Sequence, residues 1–269
     1  MALDFFCEAN HGQHSEAVLF VHSLFHTGKQ WKNVSDILNV SVVLGWQKAQ
    51  YYILNPTIQP SDYDDIDNMI FRLAELIRTS TKKGTAHVVG VSVGAHIALK
   101  LAHTYPEVAS SLFLSGFVVL SRVTRHLVSR CIYIYSNLRR RRRLPFSFRQ
   151  SRSVGQLFKL PKHPEKFRKR TMIVASDHDR LEDAQALEGI LSGWSKVEVR
   201  VAPGEEHLWN LCNSKRFARV VSFWTQNSEL PDELGMIKVV SDEDPEKVGI
   251  ISMEYTADSE SEEYEFSKE

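Results

Sequence analysis

Ser92 carries the strongest chemical signal in the sequence. It is the centre of the segment Gly90-Val91-Ser92-Val93-Gly94. A serine hydroxyl is a poor nucleophile at neutral pH and requires an adjacent base, usually a histidine that a third group orients. The two glycines permit a tight strand-to-helix turn, and a helix that begins at the serine directs backbone N–H groups toward developing negative charge. The segment therefore predicts a nucleophile for acyl transfer.

The elements around Ser92 agree with that chemistry. An apolar run at 86–89 precedes the serine and a helical pattern at 95–105 follows it, which is the context that this motif requires. Apolar residues at helical spacing indicate another helix at 66–77. Further apolar runs, typical of parallel strands covered on both faces, lie at 17–21, 40–44, 111–114, 171–175 and 197–201. The alternation predicts an α/β protein with a doubly wound, mostly parallel sheet.

Five segments resemble the α/β-hydrolase family in their order and spacing, over roughly residues 15–225. They are Val18-Leu19-Phe20-Val21-His22-Ser23-Leu24, Gly28-Lys29-Gln30-Trp31, the serine motif, Ala175-Ser176-Asp177-His178-Asp179 and Glu206-His207. The resemblance implies the α/β-hydrolase fold and a triad in the chain order Ser, Asp, His, which Ser92, Asp179 and His207 match. It also implies an oxyanion hole formed by the backbone N–H groups of Leu24 and Val93.

Two carboxylates, Asp177 and Asp179, compete for the role of the acid. The family's pattern after this strand is Gly-x-x-Asp, and aligning Ser176 with that glycine makes Asp179 the acid and leaves Asp177 to cap the turn. The opposite assignment stays open at this point, as does the interpretation of both aspartates as ordinary turn residues.

The chain departs from the family's pattern at three places. Ser23 replaces the glycine that usually follows the histidine of the first segment, so that a Cβ narrows the approach to the carbonyl. Gly45-Trp46-Gln47-Lys48-Ala49 stands where the family has Asp-x-x-Gly-x-Gly. Glu206 replaces a glycine before the histidine. We expect its carboxylate to raise the pKa of His207 or to pair with an arginine of the cap. These departures indicate a divergent, specialised member.

The stretch from 117 to 170 predicts an inserted cap, helical around 121–138 and looser afterwards. Its apolar residues either line a substrate cavity or simply pack the cap helix; they are Phe117, Val118, Val119, Leu120, Leu127, Ile132, Tyr133 and Tyr135. Between Arg122 and Arg170 there are 16 Lys or Arg residues and the single acid Glu165. The run Arg139–Arg143 is either a solvated loop or a patch that binds an anionic surface or partner.

We expect a hydrolase domain at 1–228 and a disordered tail at 229–269, in which 14 acidic residues face 3 basic ones. Three scattered cysteines indicate neither a disulfide framework nor a metal site. The start has no basic segment followed by an apolar one, and no apolar window is long enough for a transmembrane span, so we expect a cytoplasmic protein. No motif calls for a cofactor or a metal, and no nucleic-acid recognition module accompanies the basic residues.

These features predict a serine hydrolase that cleaves a small-molecule ester or thioester, or a C–C bond, through an acyl-enzyme. The alternative is a non-hydrolytic protein of the same fold that binds a ligand or a partner, since the fold alone does not determine function.

Overall fold

The computed structural model describes residues 5–8, 16–41, 51–138, 145–159, 168–193, 195–226 and 234–236. They belong to a compact unit that spans Met1–Ile237. The segments 45–49, 139–143 and most of 229–269, on which predictions were made, lie outside the described residues.

A single sheet of eight strands forms the centre of this unit, in the order β1-β3-β2-β4-β5-β6-β7-β8. The six inner strands are parallel, and β1 and β8 pair antiparallel at the two edges. The strands are β1 (Phe5–Glu8), β2 (Glu16–Val21), β3 (Tyr51–Pro56), β4 (Ala86–Val91), β5 (Ala109–Ser115), β6 (Thr171–Ser176), β7 (Val197–Ala202) and β8 (Gly235–Met236). The predicted doubly wound, mostly parallel sheet is confirmed.

Eight helices accompany the described strands, with short 3-10 turns at Gly28–Trp31, Pro60–Asp64 and Pro106–Val108. The helices are α1 (Lys32–Ser41), α2 (Ile66–Ser80), α3 (Val93–Thr104), α4 (Arg122–Leu138), α5 (Phe148–Leu157), α6 (Leu181–Leu191), α7 (Trp209–Cys212) and α8 (Ser214–Thr225).

Side chains of the inner strands alternate between two apolar layers, as the period of a strand requires. In β2, Val18 and Phe20 pack on one side with Trp31 and the residues of α8, whereas Leu19 packs on the other side with α2 and α3. All five residues of 17–21 are buried, which explains why this strand appears in the sequence as an unbroken apolar run.

The predicted strand at 40–44 is wrong at its first two residues. Val40 and Ser41 belong to α1, and residues 42–44 lie outside the described residues. The helix persists because Val34 and Leu38, four residues apart, are both buried against the sheet. The strand between α1 and α2 is instead β3, whose residues end in Asn55-Pro56.

The cap was predicted to be looser after its first helix. Residues 145–159 contradict this prediction, whereas 139–144 and 160–167 lie outside the described residues. After α4 the chain forms α5, which begins at a capping box between Ser147 and Gln150. Gly155 lets α5 approach α4, since a Cβ at this position would overlap the hydroxyl of Ser129. The described part of the cap is therefore a pair of closely packed helices.

Two residues of the predicted tail belong to the sheet, and a third packs beside it. Gly235 and Met236 form β8 against β7, and Leu234 is buried beside the layer that contains Trp209.

Candidate active site

The serine motif forms a sharp turn between β4 and α3. Ser92 has φ 58° and ψ −123°, a conformation that a residue with a side chain rarely adopts. A Cβ at Gly90 would overlap the carbonyl of Gly94, and one at Gly94 would overlap the carbonyl of Val21. Both positions therefore exclude any residue larger than glycine, for the steric reason that the sequence suggested.

The strand β5 holds this turn from the side. The backbone N–H of Ser92 donates to the carbonyl oxygen of Ser115 at 2.9 Å. The hydroxyl of Ser115 in turn accepts a hydrogen bond from the indole Nε1 of Trp209 at 2.8 Å. The strained serine is thus connected to the helix that follows His207.

His207 and Asp179 lie together at the ends of β6 and β7. The distance between Nδ1 of His207 and Oδ1 of Asp179 is 2.5 Å. The other oxygen of Asp179 accepts hydrogen bonds from the backbone N–H and the hydroxyl of Ser176, both at 2.9 Å. Burial raises the pKa of Asp179, but these hydrogen bonds outweigh it and hold the pKa of the carboxyl below its ordinary value. The carboxylate is therefore charged and has a fixed orientation toward the imidazole.

Asp177 points to a different partner. Its carboxylate accepts a hydrogen bond from the backbone N–H of Gly204 at 2.6 Å, in the loop that leads to His207. The two aspartates therefore make different contacts: Asp177 fixes the position of the loop, and Asp179 contacts the imidazole.

Gly116 lies against the imidazole of His207, and no pattern in the sequence singled it out. It follows Ser115 directly and has φ 62°. A Cβ at this position would lie 2.7 Å from Cε1 and 3.0 Å from Nδ1 of His207. The ring therefore rests on the glycine backbone one residue after the carbonyl that holds Ser92. A glycine directly after a buried strand was the signal that could have revealed it.

The loop after β2 is held by side chains that the sequence did not indicate. The N–H and the hydroxyl of Ser23 both donate to Oε1 of Gln30, at 2.9 and 3.0 Å. Gln30 donates in turn to Oδ1 of Asn210 at 3.3 Å. The hydroxyl of Ser23 also lies 2.8 Å from Nδ1 of His26. Ser23 therefore replaces the usual glycine with a side chain that stiffens the loop.

His22 is part of the same loop and has a structural position. Its Nε2 accepts from the N–H of Ile58 at 2.9 Å, and its Nδ1 lies 2.9 Å from the carbonyl of Ser23. Burial lowers the pKa of His22 to about 4, so the ring is neutral. It joins the loop to the segment after β3.

Leu24 and Phe25 complete this loop beside a cavity of about 200 Å³. Phe25 has φ 64°, a left-handed conformation that is strained for a bulky residue. The cavity is lined by Leu24 and Phe25, by the two histidines of the loop, and by Ile58, Pro60, Tyr63 and Phe146 among others. Phe146 is the member that comes from the cap.

The cap residues expected to line a cavity divide into three groups, of which Val118, Val119 and Leu120 are partly buried. Phe117 and Ile132 are buried in the core, whereas Leu127, Tyr133 and Tyr135 are exposed. None of the eight lines the cavity beside Leu24. Glu206 was expected to raise the pKa of His207 or to pair with a cap arginine. Its carboxylate instead lies 3.5 Å from Nε2 of His178.

Among the described residues there is no cluster of three or more histidine, cysteine or acidic side chains that would hold a metal ion. No helix in the described ranges is long and apolar enough to cross a membrane.

No model of a known protein family matches the sequence. A protein of Gibberella zeae named as an AB hydrolase superfamily protein is 29% identical over 255 residues, which cover 85% of this chain and 86% of that protein. An α/β-hydrolase from a Medee basin deep-sea metagenome library superposes with a TM-score of 0.61 at 14% identity, covering 86% of this chain and 96% of the other. An esterase of Thermogutta terrifontis has the same TM-score and identity, with 84% and 93% covered. The chain therefore has the α/β-hydrolase fold.

Proposed function

We propose that the protein is a serine hydrolase that cleaves a small-molecule ester or thioester, with Ser92 as nucleophile, His207 as base and Asp179 as the acid of a triad. The contact of Asp179 with Nδ1 of His207 carries this proposal. It occupies one ring nitrogen and leaves Nε2 as the base, on a ring that rests against Gly116 beside the serine turn.

The reaction begins when Oγ of Ser92 attacks the carbonyl carbon of the substrate and Nε2 of His207 takes the hydroxyl proton. The new C–Oγ bond forms as the carbonyl oxygen becomes an oxyanion. When this intermediate collapses, the bond to the leaving alcohol or thiol breaks, and the imidazolium returns its proton to the leaving group. Asp179 stabilises the imidazolium that exists between the uptake of the proton from Ser92 and its transfer to the leaving group, because the carboxylate of Asp179 remains ionised.

Water then completes the turnover. It attacks the acyl carbon, and His207 takes its proton. The imidazolium then returns this proton to Oγ as the C–Oγ bond breaks, which releases the acid and restores the hydroxyl of Ser92. The oxyanion formed in each half-reaction lies at the N-terminus of α3, where the N–H of Val93 donates to it together with the N–H of Leu24. The left-handed backbone of Phe25 sets the direction of the loop that carries the second donor.

The cavity beside Leu24 is where we place the acyl or the alcohol part of the substrate. Its volume of about 200 Å³ and its lining by Phe25, Tyr63 and Phe146 favour a small apolar or aromatic group. The esterase of Thermogutta terrifontis, which shares the fold, adds support for ester chemistry.

Labelling with a fluorophosphonate tests the proposal. The reagent should modify the purified protein at Ser92, as located by peptide mass spectrometry, and Ser92→Ala should remove both labelling and turnover of a short aryl ester. Ser111→Ala is the control, since this serine lies within β5 and bonds to His87. Labelling that survives Ser92→Ala, or the absence of labelling in the folded protein, would overturn the mechanism and favour a non-hydrolytic binding protein.

A further inference from the structure

The outer face of α4 carries an apolar stripe that nothing in the described structure covers. Val123, Leu127, Ile134 and Leu138 follow one another at spacings of four, seven and four residues, so they share one side of the helix. They are 70%, 55%, 55% and 81% exposed. The buried residues of α4, namely Ser129, Ile132 and Ser136, lie on the opposite side. A contiguous apolar surface of this kind on a soluble domain indicates an interaction site.

The same helix forms a basic cleft with α5. The cleft has a volume of about 430 Å³ and is lined by Arg122, Arg125, His126, Arg152, Gln156 and Lys159. No acidic residue occurs in the sequence from Arg122 to Lys159. In the part of the chain that the structure describes, no carboxylate lies within 4.0 Å of the cations that line the cleft.

Hydrogen bonds and close packing hold Arg125 and the two helices that form the basic cleft. Arg125 donates to the carbonyl of Leu120 at 2.8 Å, which fixes one cation at the start of α4. Gly155 and Ser129 hold the two helices in close contact one turn further along. Gln150 donates to the carboxylate of Asp64 at 2.8 Å and so ties α5 to the main domain. Preorganised cations bind an anion without the entropic cost of collecting them.

The stripe and the cleft lie on adjoining sides of one helix. Arg122 and His126, which line the cleft, and Arg130 border the stripe, since at 100° per residue they project between the apolar side and the side that faces α5. An exposed apolar face bordered by cations, with no acids, is the pattern of a helix that lies in the interface of an anionic membrane. A protein partner would require anionic groups around an apolar centre, whereas an anionic lipid surface supplies both chemistries everywhere.

We propose that the outer face of α4 docks on an anionic phospholipid surface, with the apolar stripe entering the acyl boundary and the basic cleft taking headgroup phosphates. Docking of this kind brings the cap, and with it the domain, to a membrane surface. The proposal concerns binding alone and does not depend on the chemistry assigned to Ser92.

Co-sedimentation of the full-length protein with vesicles tests the docking. One set of vesicles contains phosphatidylcholine alone and the other contains phosphatidylcholine mixed with phosphatidylserine. We expect binding to the mixed vesicles to be at least about tenfold tighter at low salt and to weaken steadily as salt is added. Equal binding to both sets would overturn the proposal.

Two double variants separate the two parts of the surface. Leu127→Ser with Ile134→Ser should weaken binding to the mixed vesicles about tenfold or more by removing apolar insertion. Arg122→Ala with Arg152→Ala should weaken the same binding about thirtyfold by removing two cations, and should leave the weak binding to neutral vesicles unchanged. The control pairs are Phe71→Ser with Leu211→Ser and Lys82→Ala with Lys196→Ala, which remove two exposed apolar residues and two exposed cations outside the cap. Equal effects of control and cap variants would refute the assignment.

Two further outcomes would replace the lipid by another partner. Calorimetric binding of inorganic pyrophosphate that Arg152→Ala removes, without any vesicle binding, would overturn docking in favour of a soluble phosphorylated ligand. Self-association that the Leu127→Ser and Ile134→Ser pair abolishes, again without vesicle binding, would assign the stripe to a second copy of the chain. Because Ser92→Ala should bind vesicles like the unchanged protein, failure of the docking is distinguishable from failure of the proposed hydrolysis.

Discussion

The site around Ser92 and the outer side of the cap differ in whether their polar groups are paired with other residues of the chain. Asp179 accepts three hydrogen bonds from neighbouring residues, and Gly116 fixes the ring that it contacts. The cations of the basic cleft have no acidic neighbour among the described residues, and the stripe of α4 faces solvent. One region is complete within the chain, whereas the other leaves charges and apolar groups for something outside it. Changes to the first region should therefore act on catalysis, and changes to the second on where the protein binds.

The largest expected effect separates the two aspartates within the complete region. Asp179→Asn should lower the turnover of a short aryl ester by about 10⁴, because the amide cannot hold the required tautomer of His207. Asp177→Asn removes only an acceptor for the N–H of Gly204 and should cost less than about tenfold. Steady-state kinetics on the two purified variants measures the difference. Similar losses in both would mean that the imidazole has a different partner during the reaction.

Gly116 gives the next largest effect. Gly116→Ala should lower turnover about a hundredfold, since the methyl group would displace the imidazole, and displacements near 1 Å carry costs of this size. Gly84→Ala is the matched control, because Gly84 has φ 65° but nothing within 4 Å of an added Cβ. Thermal melts of the two variants give the shared backbone strain, and kinetics gives the part that is specific to His207. If the control loses as much activity, strain rather than ring displacement is the cause.

The interface between the regions should respond to pH. His96 packs between Phe117 and Phe158, with ring centroids at 4.0 and 4.6 Å, and burial lowers its pKa to about 3. The folded state therefore binds fewer protons than the unfolded state between pH 3 and about 6.5, so stability is lost as the pH falls through this window. The loss for such a histidine is about 1.4 kcal/mol per pH unit.

His96→Gln should reduce this pH dependence, and the exposed His126→Gln should leave it unchanged. Urea unfolding at several pH values between about 4 and 7 measures both slopes. An unchanged slope in His96→Gln would show that the ring is already protonated in the folded protein.

The smallest effect concerns the strain at the serine turn. Ser92→Gly should be about 1 kcal/mol more stable than Ser92→Ala, because glycine adopts the positive φ without the clash of a Cβ. At Ser192, which has φ −60° in the helical region, the order of Gly and Ala should reverse. Urea unfolding of the four variants compares the two positions. The same order at both sites would mean that Ser92 is not strained.

Those parts of the fold that depend on local patterns could be predicted from the sequence. The inner strands appear as apolar runs because both of their faces are buried. The serine turn can be predicted because it requires glycine at positions 90 and 94. β3 was not predicted, because its apolar run is short and ends in Asn-Pro. The β-branched residues before it led instead to the prediction of a strand that begins within α1.

The long-range parts of the site could not be predicted in this way. Asn210 bonds to Gln30, and Trp209 to Ser115, across 180 and 94 residues of sequence. No local spacing encodes such pairs, since amides and indoles occur throughout a chain. Gly116 was hidden for the same reason: its role depends on where His207 comes to lie.

The bond between Gln30 and Asn210 has a consequence for synthesis. A chain emerging from the ribosome contains β2, the loop with Leu24, and the serine turn long before it contains α7. The hydrogen bond of Asn210 with Gln30 and that of the Trp209 indole with Ser115 can form only after residues 209 and 210 have been added. A nascent chain that lacks residues 209 and 210 therefore contains the serine turn without these two contacts, and the loop with Leu24 should become fixed only after both residues have been added.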